Sequence, residues 1–487
     1  MAEEPLKQKT LKGVGWSFID NIAGSGITFL VGLALARLLT PDEFGIIGMI
    51  TIFIAISNSI VDSGFSNALI RKLDASDKDY NTVFIFNLAI STLLYSALYL
   101  SAPLISQFFN EPQLINVTRV IGLVLICNAL GIVQHTLLIK SVDFKTQARV
   151  SIISSVGSGI IGIGMAFFGF GVWSLVAQQL SRQLFNSLFL WLFNKWRPSL
   201  IFSGNSFREL FGFGSKLMLS GLIDTVYKNI YYLIIGKFYS AAQLGFYTRA
   251  DQFKTIFSSN LTNVVQRVSF PVLSSIQNEP ERLREAYRKV IRTTMLVTFA
   301  CMLGMAAIAR SMILILIGEK WLPAVIYLQI MCFSGMLYPL HAINLNMLKV
   351  KGRSDLFLKL EIYKKLLAVI PITLGILYGI EYLLLGSVFN SFVSFFLNSL
   401  YSGALINYPS KQQLKDIFPV FTISLITAGI MWSFSFLLWN NWIILALQLC
   451  VGITVAWFMY ERIRLTEYLE LKSIVISLVK KKILKIK

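Results

Sequence analysis

The sequence predicts an all-α membrane protein that crosses the bilayer about fourteen times. Only 14% of its 487 residues are charged, whereas 55% are hydrophobic. Soluble proteins carry about 25% charged residues, so a chain with this composition could not cover a water-facing surface. The apolar residues also occur in blocks of about 20, which is the length that a helix needs to cross the hydrocarbon core.

Short polar segments separate the apolar blocks, and each block is predicted to be one transmembrane helix. We place the helices at 13–38, 43–66, 81–109, 113–139, 147–168, 172–194, 209–237, 242–273, 290–317, 321–348, 356–378, 380–406, 413–438 and 441–460. The first block contains Asp20 and Asn21 and is longer than the apolar region of a signal peptide. We therefore expect an uncleaved first helix.

The distribution of basic residues predicts the orientation of the chain. With the N-terminus in the cytoplasm, most of the 44 lysine and arginine residues lie in cytoplasmic loops or in the adjoining helix ends. The residues on the opposite side are Arg37, Lys237, Arg310 and Lys320. This bias follows the positive-inside rule and predicts that both termini are cytoplasmic. Topology and attraction to anionic membrane lipids then explain the net charge of +19, which requires no nucleic acid.

Neither the loops nor the short motifs indicate an enzyme. Every non-cytoplasmic loop is too short to form a catalytic domain. The single Gly-Lys pair, Gly236-Lys237, is followed by Phe238, so the sequence lacks a phosphate-binding P-loop. The four cysteines lie inside apolar blocks and form no Cys-x-x-Cys pair. We therefore expect no catalytic residues, no metal site and no cofactor.

Two segments 200 residues apart indicate an internal repeat: ARLLTPDEFG at 36–45 and GKFYSAAQLG at 236–245. Each contains a hydroxyl residue, Thr40 or Ser240, that can cap the following helix, and each ends in glycine. Six predicted helices separate the segments, so the two halves insert with the same orientation, as in transporters with parallel repeats. The predicted organisation is a six-helix bundle at 1–200, a second at 201–410, two further helices at 411–460 and a tail at 461–487.

The tail mixes apolar and basic residues irregularly, which predicts a basic amphipathic helix on the cytoplasmic membrane surface. The alternative is a basic tail without a specific function, whose charge only reflects the positive-inside rule.

Charged residues deep within the predicted helices are candidates for a substrate site, because charge is costly at that depth. Arg182 lies near the middle of the sixth helix, and Arg182, Arg249 and Arg119 have no acidic residue three or four positions away. A cavity with surplus arginine would bind an anion, above all phosphate, because the guanidinium fork matches its oxygens. The residues predicted for this substrate-binding cavity are Arg182, Arg249, Lys228, Arg119, Gln179 and Asn186.

The acidic residues in the helices have two interpretations. Asp224 with Lys228, and Asp251 with Lys254, can pair within one helix, or they can face a polar pathway. Asp62 lies near a cytoplasmic helix end, where capping is the alternative to a function. The residues predicted for ion coupling or charge pairing are Asp20, Asp224, Asp251 and Asp62.

Several motifs resemble the Wzx-type polysaccharide flippases of the multidrug/oligosaccharidyl-lipid/polysaccharide exporter superfamily, in particular the branch similar to colanic acid exporters. The motifs are GVGWS at 13–17, the segment 36–45, DSGF at 62–65, LGFYTRA at 244–250 and FPVLS at 270–274. The similarity in layout covers nearly the whole chain.

The resemblance implies two six-helix bundles around a central cavity, with two additional helices. It also implies transport of an undecaprenyl-pyrophosphate-linked oligosaccharide from the cytoplasmic to the periplasmic leaflet of the bacterial inner membrane by alternating access. A polysaccharide polymerase and glycosyltransferases are candidate partners, and the alternative is that the protein works alone.

Two other functions compete with this expectation. A cation-coupled multidrug exporter of the same superfamily would be expected to favour acidic residues in its cavity. A membrane sugar polymerase or ligase would be expected to carry a sizeable external loop, and this sequence has none.

Overall fold

The computed structural model describes residues 23–62 and 64–484, and every regular element in these ranges is a helix. The α-helices are α1 (Ala23–Leu38), α2 (Pro41–Asp62), α3 (Phe65–Arg71), α4 (Asp77–Phe109), α5 (Leu114–Ile121), α6 (Leu123–Lys140), α7 (Phe144–Phe167), α8 (Val172–Phe193), α9 (Gly204–Phe238), α10 (Ala241–Ser275), α11 (Pro280–Leu316), α12 (Ala324–Gly335), α13 (Tyr338–Val350), α14 (Ser354–Leu367), α15 (Val369–Tyr378), α16 (Ile380–Ala404), α17 (Ser410–Ser433), α18 (Asn441–Ile463) and α19 (Thr466–Leu484). Short 3-10 helices occupy Glu319–Trp321 and Phe434–Phe436. Asp20 and the GVGWS motif lie outside the described residues.

These helices confirm the predicted class, an all-α polytopic membrane protein. Nine segments of the described residues are long and apolar enough to cross a membrane. The other predicted spans coincide with α1, α8, α9, α10 and the pair α14–α15. Helices α8, α9 and α10 are more polar because they carry most of the predicted site residues.

The helices form two compact units, Met1–Thr248 and Arg249–Lys487. Within the first unit, α2 packs against α9, and α8 packs against α6 and α7. Within the second unit, α11 packs against α12, α17 and α18. The division between the two compact units falls inside α10. The repeat in the sequence predicts a different boundary, near residue 200, and that boundary stays a prediction.

The two repeated segments begin α2 and α10 with similar caps. Glu43 Oε2 accepts a hydrogen bond from the Thr40 backbone nitrogen at 2.6 Å. Gln243 Oε1 accepts one from the Ser240 backbone nitrogen at 3.1 Å, and Ser240 Oγ accepts one from the Gln243 backbone nitrogen at 3.2 Å. The reciprocal contacts at 240–243 define a capping box, which supplies partners for backbone groups at the start of a helix, and the contact at 40–43 corresponds to one half of it. The structure thus adds positions 43 and 243 to the repeat.

Within the first unit, the glycines that end the repeated segments form a close crossing of α2 with the start of α10. A Cβ atom on Gly45 would overlap the carbonyl group of Ala241, and one on Gly245 would overlap the carbonyl group of Pro41. Because positions 41 and 241, and 45 and 245, are equivalent in the repeat, the crossing is nearly symmetrical. Only glycine lets two backbones approach so closely. The repeated glycine therefore has a packing role.

The tail is helical, and ion pairs within the second unit join it to α11. Arg292 Nε lies 2.8 Å from Glu467 Oε1, and Lys289 Nζ lies 2.6 Å from Glu470 Oε2. The two pairs differ in burial, because the Glu467 side chain is 8% exposed and the Glu470 side chain is 51% exposed. The more buried pair should therefore dominate the attachment of α19, since exposed ion pairs contribute little.

We expect Glu467→Gln to release the tail, because Arg292 would lose the partner of a largely buried pair. Limited trypsin digestion of the purified protein should show cleavage in the tail accelerated about tenfold or more. Glu470→Gln should change the rate of cleavage less than about fivefold, because the pair that it breaks is exposed. Glu281→Gln is the control, since Glu281 is exposed and pairs with Arg284 on α11 itself. Equal rates for Glu467→Gln and Glu281→Gln would contradict this role of the buried pair.

Candidate functional site

Arg182 lies near the middle of α8, ten residues after its start, and its side chain is half-buried. Within residues 23–62 and 64–484 it forms neither a hydrogen bond nor an ion pair. The fold therefore leaves a guanidinium group at membrane depth without a protein counter-charge. Such a group marks a functional site by default, because an unpaired charge in the membrane is costly.

Two further predicted site residues share the side of α8 that carries Arg182. Gln179 precedes Arg182 by three positions and Asn186 follows it by four, which places them on adjacent turns of one helix face. Both side chains are half-buried. Gln178 points elsewhere, because its side chain lies against Gly162 in α7. The face of α8 with Arg182 is therefore polar over about two turns.

Three amide side chains connect α8 to α2 and α6 beside Arg182. Asn128 Nδ2 donates to Asn58 Oδ1 at 2.9 Å, and Gln183 Nε2 donates to Asn128 Oδ1 at 2.9 Å. Hydrogen bonds between membrane helices restrain how the helices can shift, although each contributes only about 1 kcal/mol. The sequence analysis did not identify Asn128 and Gln183. The available signal was an amide within an apolar segment, which needs a partner when buried.

Asp224, Lys228 and Asp62 are further predicted site residues in the first unit. Asp224 and Lys228 are both exposed on α9, and their role stays a prediction. Asp62 Oδ1 accepts a hydrogen bond from Ser66 Oγ at 2.5 Å, between the end of α2 and the start of α3. This bond joins two side chains, so the role of Asp62 stays a prediction.

In the second unit, α10 carries Arg249, Asp251 and Lys254, all half-buried. Lys254 Nζ lies 2.5 Å from Asp251 Oδ1, so this ion pair within one helix is formed. The methylene groups of Lys254 lie against Gly335 of α12, where an added Cβ would be 3.0 Å from Lys254 Cγ. The role of Arg249 in substrate binding stays a prediction.

Arg119 lies in a pocket of its own within the first unit. Its guanidinium carbon is 4.5 Å from the centre of the Tyr99 ring, an arrangement that favours a cation–π interaction. The pocket has a volume of about 420 Å³ and is lined by Tyr95, Tyr99, Asn116, Arg119, Val120, Leu123 and Trp173. Trp173 and Arg182 are nine residues apart on α8, roughly 14 Å along the helix axis. The structure therefore does not bring Arg119 together with Arg182.

The chemistry of the Arg182 face suits an anion. Its donors are a guanidinium group and the side-chain amides of Gln179 and Asn186, all of which can donate hydrogen bonds to phosphate oxygens. Among the described residues, no group of three or more His, Cys, Asp or Glu side chains could hold a metal ion.

The family described as "Polysaccharide biosynthesis protein" matches residues 34–326, which is more than half of the chain. Among curated relatives, teichuronic acid biosynthesis protein TuaB of Bacillus subtilis (strain 168) is 27% identical over 354 residues, covering 72% of this chain and 73% of TuaB. Lipopolysaccharide biosynthesis protein WzxC of Escherichia coli (strain K12) is 24% identical over 376 residues, covering 76% of each chain.

Among solved structures, the lipid II flippase MurJ in an inward closed conformation matches with a TM-score of 0.72. The match covers 93% of this chain and 100% of MurJ at 14% sequence identity, so it concerns the fold. Motifs, fold and family match agree with one another. The chain therefore belongs to this family of polysaccharide biosynthesis proteins, and its resemblance to the Wzx-type flippases is confirmed.

Proposed function

We propose that this protein is a flippase that transfers an undecaprenyl-pyrophosphate-linked oligosaccharide from the cytoplasmic to the outer leaflet of the bacterial inner membrane. The observation that carries the proposal is Arg182, a cation at membrane depth without a counter-charge among the described residues. Family membership and the MurJ-like fold support transport of a polysaccharide precursor. The protein then acts as a transporter, not as a catalyst.

Arg182 would stabilise the pyrophosphate while the headgroup crosses the membrane. A phosphate that entered hydrocarbon without a partner would lose its hydration, at a cost of many kcal/mol. A guanidinium group provides two parallel hydrogen bonds as well as the opposite charge. Gln179 and Asn186 would add neutral donors on the same face, and the polyprenyl chain would stay in the lipid. Alternating access would then expose the loaded site to the outer side.

The direction of transport follows from the proposed orientation. The excess of lysine and arginine on the side of the two termini supports a cytoplasmic position for both. The cargo would be supplied by glycosyltransferases on that side and used by a polymerase on the other. Anionic lipids of the inner leaflet would attract the basic loops.

The proposal is tested by reconstituting the purified protein in liposomes with a fluorescent undecaprenyl-pyrophosphate oligosaccharide in the inner leaflet. Chemical quenching from outside should reveal a rising accessible fraction with protein and a constant fraction in protein-free liposomes. Proton and sodium gradients are applied separately, since the coupling ion is not assigned. If cargo stays inside under both gradients while a cationic drug is transported, the multidrug exporter is the correct function.

A further inference from the structure

The Arg119 pocket is built from four helices of the first unit, including α6 through Leu123. Tyr95 and Tyr99 come from α4, Arg119 from α5 and Trp173 from the start of α8. The Tyr95 ring rests on Gly122, between α5 and α6, where an added Cβ would lie 3.0 Å from the ring. The glycine therefore leaves room for the aromatic wall of the pocket.

The described residues provide few polar partners for the charge of Arg119. Its guanidinium group stacks on the Tyr99 ring, and its Nε atom is buried without a hydrogen-bond partner among the described residues. No ion pair within those residues includes Arg119. A buried donor without a partner is unfavourable, so an anion in the pocket would be favoured.

The pocket opens at a surface that is suited to lipid. At its mouth, Tyr99 is 42% exposed and Trp173 is 36% exposed. Leu100 and Leu104, which follow Tyr99 on α4, are 76% and 66% exposed, as expected for residues facing acyl chains. Tyrosine and tryptophan are typical of the boundary between hydrocarbon and headgroups, where lipid phosphates lie.

We infer that this pocket binds the phosphate headgroup of an anionic glycerophospholipid. The arginine fork matches phosphate oxygens, and Tyr99 holds the guanidinium plane in position. Asn116 supplies a neutral donor at the rim, and Trp173 covers the glycerol backbone of the lipid. The bound lipid would be a resident of the protein and would not be its cargo, so the inference does not depend on the proposed function.

Native mass spectrometry of the purified full chain with added phosphatidylglycerol tests the inference. Arg119→Gln should weaken binding about tenfold to a hundredfold, because a charge-assisted hydrogen bond contributes about 1.5–3 kcal/mol. Arg119→Lys should bind phosphatidylglycerol with an affinity between those of wild type and Arg119→Gln. Lysine keeps the charge but loses the planar guanidinium group and its stacking on Tyr99. Tyr99→Phe should bind like wild type, and Tyr99→Leu should not, because only the former keeps the ring.

Arg208→Gln is the control, because it removes the same charge from an exposed position of α9 in the same unit. Wild-type binding by Arg119→Gln, or an equal loss in Arg208→Gln, would overturn the site. Undecaprenyl phosphate serves as the competing probe. If it displaces phosphatidylglycerol at equal or lower concentration, the pocket belongs to the cargo pathway and the assignment to a resident phospholipid is wrong.

Discussion

Gly45→Ala and Gly245→Ala are each expected to reduce the free energy of unfolding by about 3 kcal/mol or more. The added methyl group would overlap a backbone carbonyl in each case, of Ala241 or of Pro41. A backbone group cannot rotate away as a side chain can, so α2 and the start of α10 would have to separate. The near symmetry of the crossing predicts similar losses for the two variants.

Thermal unfolding of the purified protein in detergent, followed by tryptophan fluorescence, measures the loss. Gly48→Ala is an intermediate case, because its Cβ would meet the flexible side chain of Leu244 at 3.0 Å. Gly164→Ala is the control, since no atom lies within 4 Å of the position of its Cβ. Alanine should stabilise helix α7 there by up to about 1 kcal/mol. A wild-type Tm for Gly45→Ala or Gly245→Ala would show that the backbones are farther apart.

Arg182→Gln is expected to lower the flux of the lipid-linked oligosaccharide about tenfold to a hundredfold. The variant keeps a polar donor but loses the charge-assisted hydrogen bonds, which contribute about 1.5–3 kcal/mol. Arg182→Lys should retain part of the flux, because it keeps the charge without the planar fork. The liposome quenching assay measures both variants against wild type.

A matched stability measurement distinguishes a binding role from a structural one. Because Arg182 has no hydrogen bond or ion pair to the described residues, Arg182→Gln should unfold at the wild-type temperature or above it. Asn128→Leu should behave differently, since it leaves Asn58 and Gln183 without their shared partner and should lower stability by about 1 kcal/mol. Unchanged flux in Arg182→Gln would exclude Arg182 from the cargo site. The flippase function itself is tested separately, by the flux of the wild-type protein.

The positions of the helices were predictable, because length and apolarity are properties of a single segment. The predicted sixth helix at 172–194 is α8 at Val172–Phe193, and the predicted fourteenth at 441–460 is α18 at Asn441–Ile463. The cap at Ser240 was predictable for the same reason, since a capping box spans four consecutive residues. What the sequence did not reveal is that the fourth predicted helix is divided at Gly122, where the Tyr95 ring from α4 packs.

The candidate site was only partly predictable. Arg182 and Arg119 look alike in the sequence, because both are arginines within apolar segments and lack a nearby acid. Their environments differ because Tyr99, twenty residues before Arg119, provides a ring for one guanidinium group and not for the other. The amide chain was likewise hidden, since Asn58 and Gln183 lie 125 positions apart and meet only through Asn128.

The sequence by itself determined that the chain is a polytopic helical membrane protein with a repeat 200 residues long and an arginine in the middle of its sixth helix. Hydrophobicity and capping depend on neighbours along the chain, and a repeat is found by comparing two segments of the same sequence. The tertiary structure alone decided that the repeated glycines cross, that three amides join α2, α6 and α8, and that Arg119 has its own aromatic pocket. These features depend on contacts within a few ångströms between side chains or backbones distant in sequence, and only the packing of the helices selects them.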